Sequence, residues 1–425
     1  MNIVLRFILY YISSVVALIM TVFVWPLVFL YPIIIALLTV KGPQRAFLFL
    51  NHVNFPFGAN FNKPESFGFS PHRCRNFYLT TPDDVKLGCW HILPSLFYRQ
   101  VTAHQEKSGK VPHGSLVTEG VQRRALLERP VFLYFHGNAS HRAGNVRIAQ
   151  YRNLAERLNA NVIAFDYRGF GDSEGSPSEE EIAIDARTVY DWIVSQGVAH
   201  DQIILLGHSL GSGIATRLAR DLGKDKIYPR GLVLQAAYMS IPDAALEYNA
   251  FQVLPLLYPV TLFPQLEEYM KSTLHDRFRS RDHIPHLNIP VLIIHGQCDR
   301  EIPIKNSQQL FAIGVASHKA MAKSAPEVGK VGVQVYREFV ADKEEFGTGF
   351  EVEGKRWVSV RGSGVKGGEG TFAGPSKIML VELVHAHHNS VQNHDLAYDS
   401  IETFLDISYM TSCTPVSESL SNLTE

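Results

Sequence analysis

The chain has 425 residues, 46% of them apolar and 19% charged, with a formal net charge of −1. That allows a sizeable core in one large domain or two ordinary ones, and it excludes the basic footprint of a nucleic-acid binder. Four scattered cysteines (Cys74, Cys89, Cys298, Cys413) form no C-x-x-C pair, which points away from a cysteine zinc site and from a disulfide framework.

Residues 7–40 carry no charged side chain. A helix needs about 20 apolar residues to span the hydrocarbon core of a bilayer, and this stretch would be roughly 50 Å long if wholly helical. Residues 1–41 therefore read as a membrane anchor in which Pro26 and Pro32 kink or end the helix. Arg6 before it and Lys41 and Arg45 after it are too evenly balanced to fix an orientation. Residues 42–76, rich in Pro, Phe, Asn and His, read as an irregular connector. Short β-like segments follow at 77–80 and 85–91 with Asp83-Asp84 as the turn, and then a polar loop over 104–128.

From Val131 onward, apolar runs of strand length alternate with helical patterns. The runs are VFLYF at 131–135, NVIAF at 161–165, 202–206, 231–234, PVLIIH at 290–295 and KIMLVELV at 377–384. Helical spacing fills 147–158, 179–194 with Ser178 as N-cap, and the segment after residue 213, and a closing helix begins near Asp399. Continuous apolar strands alternating with helices imply an α/β fold with a mostly parallel central sheet covered on both faces. Within a domain spanning 77–410, the apolar irregular stretch 243–286 reads as a cap. Residues 316–376, with GSGVKGGEG at 362–370, read as a flexible insertion, and 411–425 as a tail.

Between the strand at 202–206 and the next helix lies Gly207-His208-Ser209-Leu210-Gly211, a G-x-S-x-G sequence. Strand, sharp turn and helix make this a nucleophile elbow, with the serine at the tip and glycines where side chains would collide. A serine hydroxyl needs an imidazole to take its proton and an acid to orient that imidazole. On such a sheet both partners follow the serine in the chain. Asp299, in the loop after PVLIIH, is the candidate acid, with Glu301 as its rival; Asp276 and Asp282 precede the strand and read as surface or lid residues. His388 is the candidate base, ahead of His387, while His385 and His394 fall at the strand end and in the loop. Four histidines in ten residues raise a metal reading, but no H-E-x-x-H helix accompanies them, so neither metal nor cofactor is expected. The oxyanion donors expected are the backbone N–H groups of Leu210 and of Asn138, the latter in the loop after the 131–135 strand. His136 precedes the serine and reads as a residue that holds that loop.

The elbow, HGNASHRAG at 136–144, FDYRGFGDSEGSPSE at 165–179 and HGQCDREIP at 295–303 together resemble the α/β-hydrolase superfamily. Within it, DVKLGCWH at 84–91 and GHSLGSGIATRLAR at 207–220 resemble the membrane-anchored lysophosphatidylserine lipase and monoacylglycerol lipase branch. The similarity covers roughly residues 78–315 and 377–406. It implies an α/β-hydrolase fold with a small cap, a single membrane segment and a catalytic domain facing the lumen or exterior, as in the endoplasmic reticulum. It also implies hydrolysis of lipids with one acyl chain, and it places Ser209, Asp299 and His388 on the triad. An acyl-protein thioesterase with the same triad and a non-catalytic membrane scaffold are the alternative functions. Two departures stand out: the 316–376 insertion, and Gln235-Ala236-Ala237-Tyr238 where the branch has a Glu-Ser-Pro-Phe type of segment.

Overall fold

The structure is a computed structural model that describes residues 3–108, 118–250, 254–255, 257–324, 335–337, 355–361 and 377–407. The 411–425 tail and the glycine run at 362–370 lie outside the described residues.

The strands are, in chain order, β1 (Cys74–Thr80), β2 (Lys86–Ile92), β3 (Val131–Phe135), β4 (Asn161–Phe165), β5 (Ile203–His208), β6 (Gly231–Gln235), β7 (Asn249–Ala250), β8 (Leu254–Pro255), β9 (Val291–Gly296), β10 (Val335–Arg337), β11 (Lys355–Arg361) and β12 (Lys377–Leu383). All but β7 and β8 join one sheet in the order β1-β2-β4-β3-β5-β6-β9-β12-β11-β10. The strands from β4 to β12 in that order run parallel. The β1–β2 hairpin closes one edge in antiparallel pairing, and β11 and β10 extend the other edge in the same way.

The apolar runs are continuous because each strand is buried on two faces. Val131, Leu133 and Phe135 of β3 and Ile203 and Leu205 of β5 join one core cluster, with Ile182, Ile214 and Leu310 from the covering helices. Phe132, Tyr134, Ile204 and Leu206, the alternate residues, join the other, with Ile148, Tyr151 and Ile401. The two-residue strand period thus divides a single run between two cores. The helices on the first face are Glu179–Ser195, Leu210–Lys224 and Lys305–Ser324; Asn145–Arg157 and Asp395–Leu405 cover the second. Ser178 caps the first of these, its hydroxyl accepting from the Glu181 N–H.

Several segments differ from the sequence reading. The polar region before β3 is helical at Ser95–Ser108 and Glu119–Glu128. The insertion contributes helix to Ser324 and then the two outer strands β10 and β11. The connector begins with a helix, Lys41–Phe49. Its last residue, Phe49, is fully buried and stacks edge-on against Phe170 and Phe278. Asn51 Nδ2 then donates to the Gly169 carbonyl. This stretch is an integral part of the core rather than a linker, and local sequence does not reveal it because its partners lie more than a hundred residues away.

The apolar N-terminus is helical over Ile3–Ile19, passes through a π-helical turn at Met20–Val24 and continues over Trp25–Leu37. The π turn ends just before Pro26, where the missing N–H and the ring clash disturb the regular ladder, and the Trp25 N–H reaches back to Met20 O. Pro32 sits inside the second helix without ending it. The sharp break comes after Leu37, where the helix axis turns by 95° into Lys41–Phe49. Among the described residues one helix, Val4–Val22, is long and apolar enough to cross a membrane.

Phe49→Ala removes a large ring from between two aromatic partners. The expected loss is about 3–5 kcal/mol of stability, read by chemical denaturation of the detergent-solubilised full chain. A loss below about 0.5 kcal/mol would show that the Lys41–Phe49 helix merely rests on the domain.

Candidate active site

The elbow is built by backbone-on-backbone contact. A Cβ on Gly207 would lie 2.3 Å from Gly211 O, and a Cβ on Gly211 would lie 2.1 Å from Phe135 O. Neither site admits a side chain. Between them Ser209 takes φ 52° and ψ −122°, a strained conformation for a non-glycine residue. It sits at the N-cap of the Leu210–Lys224 helix, with its own N–H bonded to Gln235 O.

The three residues singled out by sequence converge here. Ser209 Oγ lies 2.9 Å from His388 Nε2, and His388 Nδ1 lies 2.7 Å from Asp299 Oδ2. His387, the alternative base, is exposed, and its Nδ1 lies 3.0 Å from Cys298 O. Glu301, the alternative acid, is 3.8 Å from His388 Nε2, too long for a hydrogen bond but close enough to be felt as charge. Asp276 is not at the surface: it is buried, pairs with Arg45 at 2.6 Å and accepts from the Glu179 N–H.

Asp299 Oδ1 accepts the N–H groups of Glu301 and Ile302, both at 2.9 Å, while Oδ2 also accepts from His295 Nε2 at 3.1 Å. Burial alone would raise this carboxyl's pKa, but the hydrogen bonds from His295 and His388 outweigh it and hold the group well below the usual carboxylate range. In His388 the balance runs the other way. Burial disfavours the imidazolium, yet the Asp299 hydrogen bond and charge, helped by Glu301, raise its pKa above the usual value. His208 is kept neutral, its pKa pushed down to about 3 chiefly by burial, and its Nε2 donates to the His388 carbonyl at 3.0 Å. His388 is therefore fixed at its ring by Asp299 and at its backbone by His208.

Leu210 and Asn138 both line the cavity beside Ser209. The Leu210 N–H is the first of a helix, where no intrahelical acceptor exists and the helix dipole favours an anion. The 136–140 turn packs directly on the elbow: a Cβ on Gly137 would lie 3.3 Å from Ser209 Cβ. Arg147 holds that turn. One of its terminal nitrogens donates to three successive carbonyls, Gly137, Asn138 and Ala139, at 3.0, 3.1 and 2.6 Å. His136 is fully buried against Tyr167 and Phe170, and its Nδ1 lies 2.7 Å from Gly137 O.

The site opens into a cavity of about 340 Å³ whose walls are almost entirely apolar. Ala245, Leu246, Leu257 and Met270 come from the cap, and Ile241 from just before it. Phe47, Leu48 and Leu50 come from the segment just past the apolar helix. Tyr238, at the point of departure from the family pattern, lines it too and donates its hydroxyl to Leu210 O at 3.3 Å.

Sequence reasoning missed His295 and Arg147. His295 carried a signal, a polar residue ending an apolar strand four positions before Asp299. Arg147 carried none, since a helical arginine is ordinarily solvated.

This arrangement can deprotonate Ser209 as it attacks a carbonyl, hold the proton on His388 against Asp299, and donate to a developing oxyanion.

Residues 130–265 match the alpha/beta hydrolase fold family. The chain is 33% identical over 276 residues to the lysophosphatidylserine lipase ABHD12 of Rattus norvegicus, covering 65% of each chain. It is 34% identical over 270 residues to that of Xenopus tropicalis, covering 64% of this chain and 65% of the relative. Against the protein ABHD12B of Homo sapiens it is 32% identical over 272 residues, covering 63% of this chain and 68% of the relative. The chain thus spans slightly less than two thirds of the length of the two lipases.

Two predictions follow from the hydrogen bonds. The base works only when neutral, so kcat/KM should fall as pH drops through the raised His388 pKa; Glu301→Gln removes a negative charge, lowers that pKa and moves the acid limb to lower pH with kcat largely kept. A pH–rate profile that does not move would show that Glu301 is not felt at His388. Arg147→Met frees the 137–139 carbonyls, and kcat should fall by up to about 10²–10³-fold with little change in KM, as for loss of one oxyanion donor; steady-state kinetics on a soluble ester reads this.

Proposed function

Because the chain belongs to the α/β-hydrolase fold family, we propose that it is a membrane-anchored serine hydrolase that cleaves single-acyl-chain lipid esters, lysophospholipids and monoacylglycerols, through an acyl-enzyme. The observation that carries this reading is the hydrogen-bonded line Ser209–His388–Asp299 set at an apolar cavity of about 340 Å³. That volume lies in the range of small-ligand pockets, and its walls suit an acyl chain far better than a polar substrate.

In this reading Ser209 Oγ attacks the acyl carbonyl carbon as His388 Nε2 takes its proton. The oxyanion accepts from the N–H groups of Leu210 and Asn138. Collapse of the tetrahedral intermediate breaks the ester C–O bond, and His388 returns the proton to the leaving alcohol. Water then attacks the acyl-enzyme by the same route, with His388 again as base, and releases the fatty acid and free Ser209. Asp299 stays ionised throughout, which its low pKa favours. The relatives named lysophosphatidylserine lipases support a lysophospholipid among the substrates, and the 19-residue apolar helix Val4–Val22 supports a membrane location.

A fluorophosphonate probe should label the full chain and fail to label Ser209→Ala, which should lose about 10⁴-fold or more in turnover of a monoacylglycerol or lysophosphatidylserine. Equal labelling of both proteins would sink the assignment. Faster turnover of an acyl-thioester peptide than of either lipid would replace the lipase reading with a thioesterase one.

A further inference from the structure

The apolar helix does not end in a free tether. Its last turns are docked on the cap: Ile35 and Leu38 are buried in one cluster with Leu246, Leu257, Val260 and Met270, and Tyr31 packs against them. The same helix keeps other apolar side chains exposed down to its end, among them Phe29 at 68%, Ile33 at 55% and Leu37 at 49%. Those side chains need a non-aqueous medium, and the cap touches the helix at their level.

The cap segment that grips the helix is itself two-sided. Leu257 and Val260 turn inward onto Ile35 and Leu38, while Tyr258, Leu262 and Phe263 turn outward and are 57%, 60% and 61% exposed. Tyr269 on the next helix, Pro264–Thr273, is 55% exposed. Such a run of large exposed apolar residues is unusual on a soluble surface. Here it continues an already apolar helix. Arg45–Asp276 and the Gln44 side chain, which bonds Leu38 O, Thr273 O and the His275 N–H, fix the helix past the anchor against the cap.

We propose that the outer face of the cap, Tyr258, Leu262 and Phe263, is a second membrane contact: it rests in the interface of the bilayer that holds the N-terminal helix, and the cavity behind it takes its acyl chain from that leaflet. The occupant is lipid because the patch is continuous with a helix whose exposed residues already require lipid. Its aromatic and leucine side chains are those that settle at the headgroup–acyl boundary. The inner side of the same segment, Leu257, and its neighbour Met270 line the cavity, so the wall of the site and the membrane contact are two faces of one element. This rests on the reading of the chain as a membrane-anchored lipid hydrolase.

The test uses the full chain in phosphatidylcholine vesicles, with the photo-cross-linker benzoylphenylalanine placed singly at three positions. Position 263 is the cap face and position 12 lies within the apolar helix. Position 127 is exposed at the opposite end of the sheet, where the Leu127 carbonyl accepts from Gln202 just before β5. Lipid adducts at 12 and 263 and none at 127 are expected. Adducts at 12 without any at 263 overturn the proposal and leave the anchor standing, as does a chain-to-chain dimer formed from 263, which would mean that a second copy covers the patch. No adduct at 12 removes both. In parallel, the double variant Leu262→Asp, Phe263→Asp should lose about tenfold or more in turnover of a vesicle-borne lysophospholipid or monoacylglycerol while keeping its rate on a soluble short-chain ester. Equal loss on both substrates, or loss on neither, overturns the proposal. Wild-type protein that forms the expected adducts but hydrolyses no lipid leaves the membrane contact intact and defeats the hydrolase reading instead.

Discussion

The structure depends on one steric fact: a strand and a helix meet so closely at Ser209 that the two flanking positions cannot carry a side chain. Gly207 faces the Gly211 carbonyl and Gly211 faces the Phe135 carbonyl, each nearer than any Cβ could stand. The strand and helix hold the strained serine between them because each is pinned elsewhere. β5 is hydrogen-bonded to β3 and β6, and the helix packs Ile214, Leu218 and Leu222 into the core. The backbone energy stored at Ser209 is of order 1–3 kcal/mol, small against the burial that surrounds it. What it achieves is placement: the hydroxyl is presented at the carboxyl edge of the sheet, where loops from β3, β9 and β12 also arrive.

Those loops carry a charge arrangement that only works as a set. A buried carboxylate without partners would be expensive and would take up a proton. Asp299 has four donors instead, two backbone and two imidazole, so it remains a carboxylate. The stabilised anion in turn makes His388 more basic than a buried imidazole would otherwise be. On the other side of the serine, Arg147 does for the 137–139 turn what His208 does for the His388 loop: it holds backbone carbonyl oxygens in place. The acid–base partners and the loop that borders the nucleophile are therefore positioned by buried groups that lie outside the reacting line.

How much of this the sequence discloses follows from how local each constraint is. The parallel strands were readable because an element buried on both faces must be apolar without interruption. The elbow was readable because its glycines answer to contacts within a few residues. The placement of Asp299 and His388 beside Ser209 was readable because strand order confines them to two loops. The helix at Lys41–Phe49 was not: its residues acquire their meaning from Asp276, Thr273, Phe170 and Phe278, and nothing in the composition of 42–76 signals that pairing. The outer strands β10 and β11 were hidden for a related reason, since each gains its order by pairing with the strand beside it, β10 with β11 and β11 with β12, and needs little apolar content of its own. Pro26 and Pro32 misled in the opposite direction. A π turn at Met20–Val24 absorbs the disturbance at Pro26, Pro32 is carried within the second helix, and the break falls at residues 38–40 instead.

The consequence for function lies in the stretch between the apolar helix and the domain. A flexible tether, rich in glycine and serine, would let a catalytic domain rotate freely and meet lipid by chance collision. Residues 38–51 allow no such freedom. Leu38 is buried in the cap, Gln44 and Arg45 are hydrogen-bonded to it, Phe49 is fixed in the main core, and Phe47, Leu48 and Leu50 complete the cavity wall between them. The contacts that wall the cavity are thus the same ones that set its angle to the apolar helix.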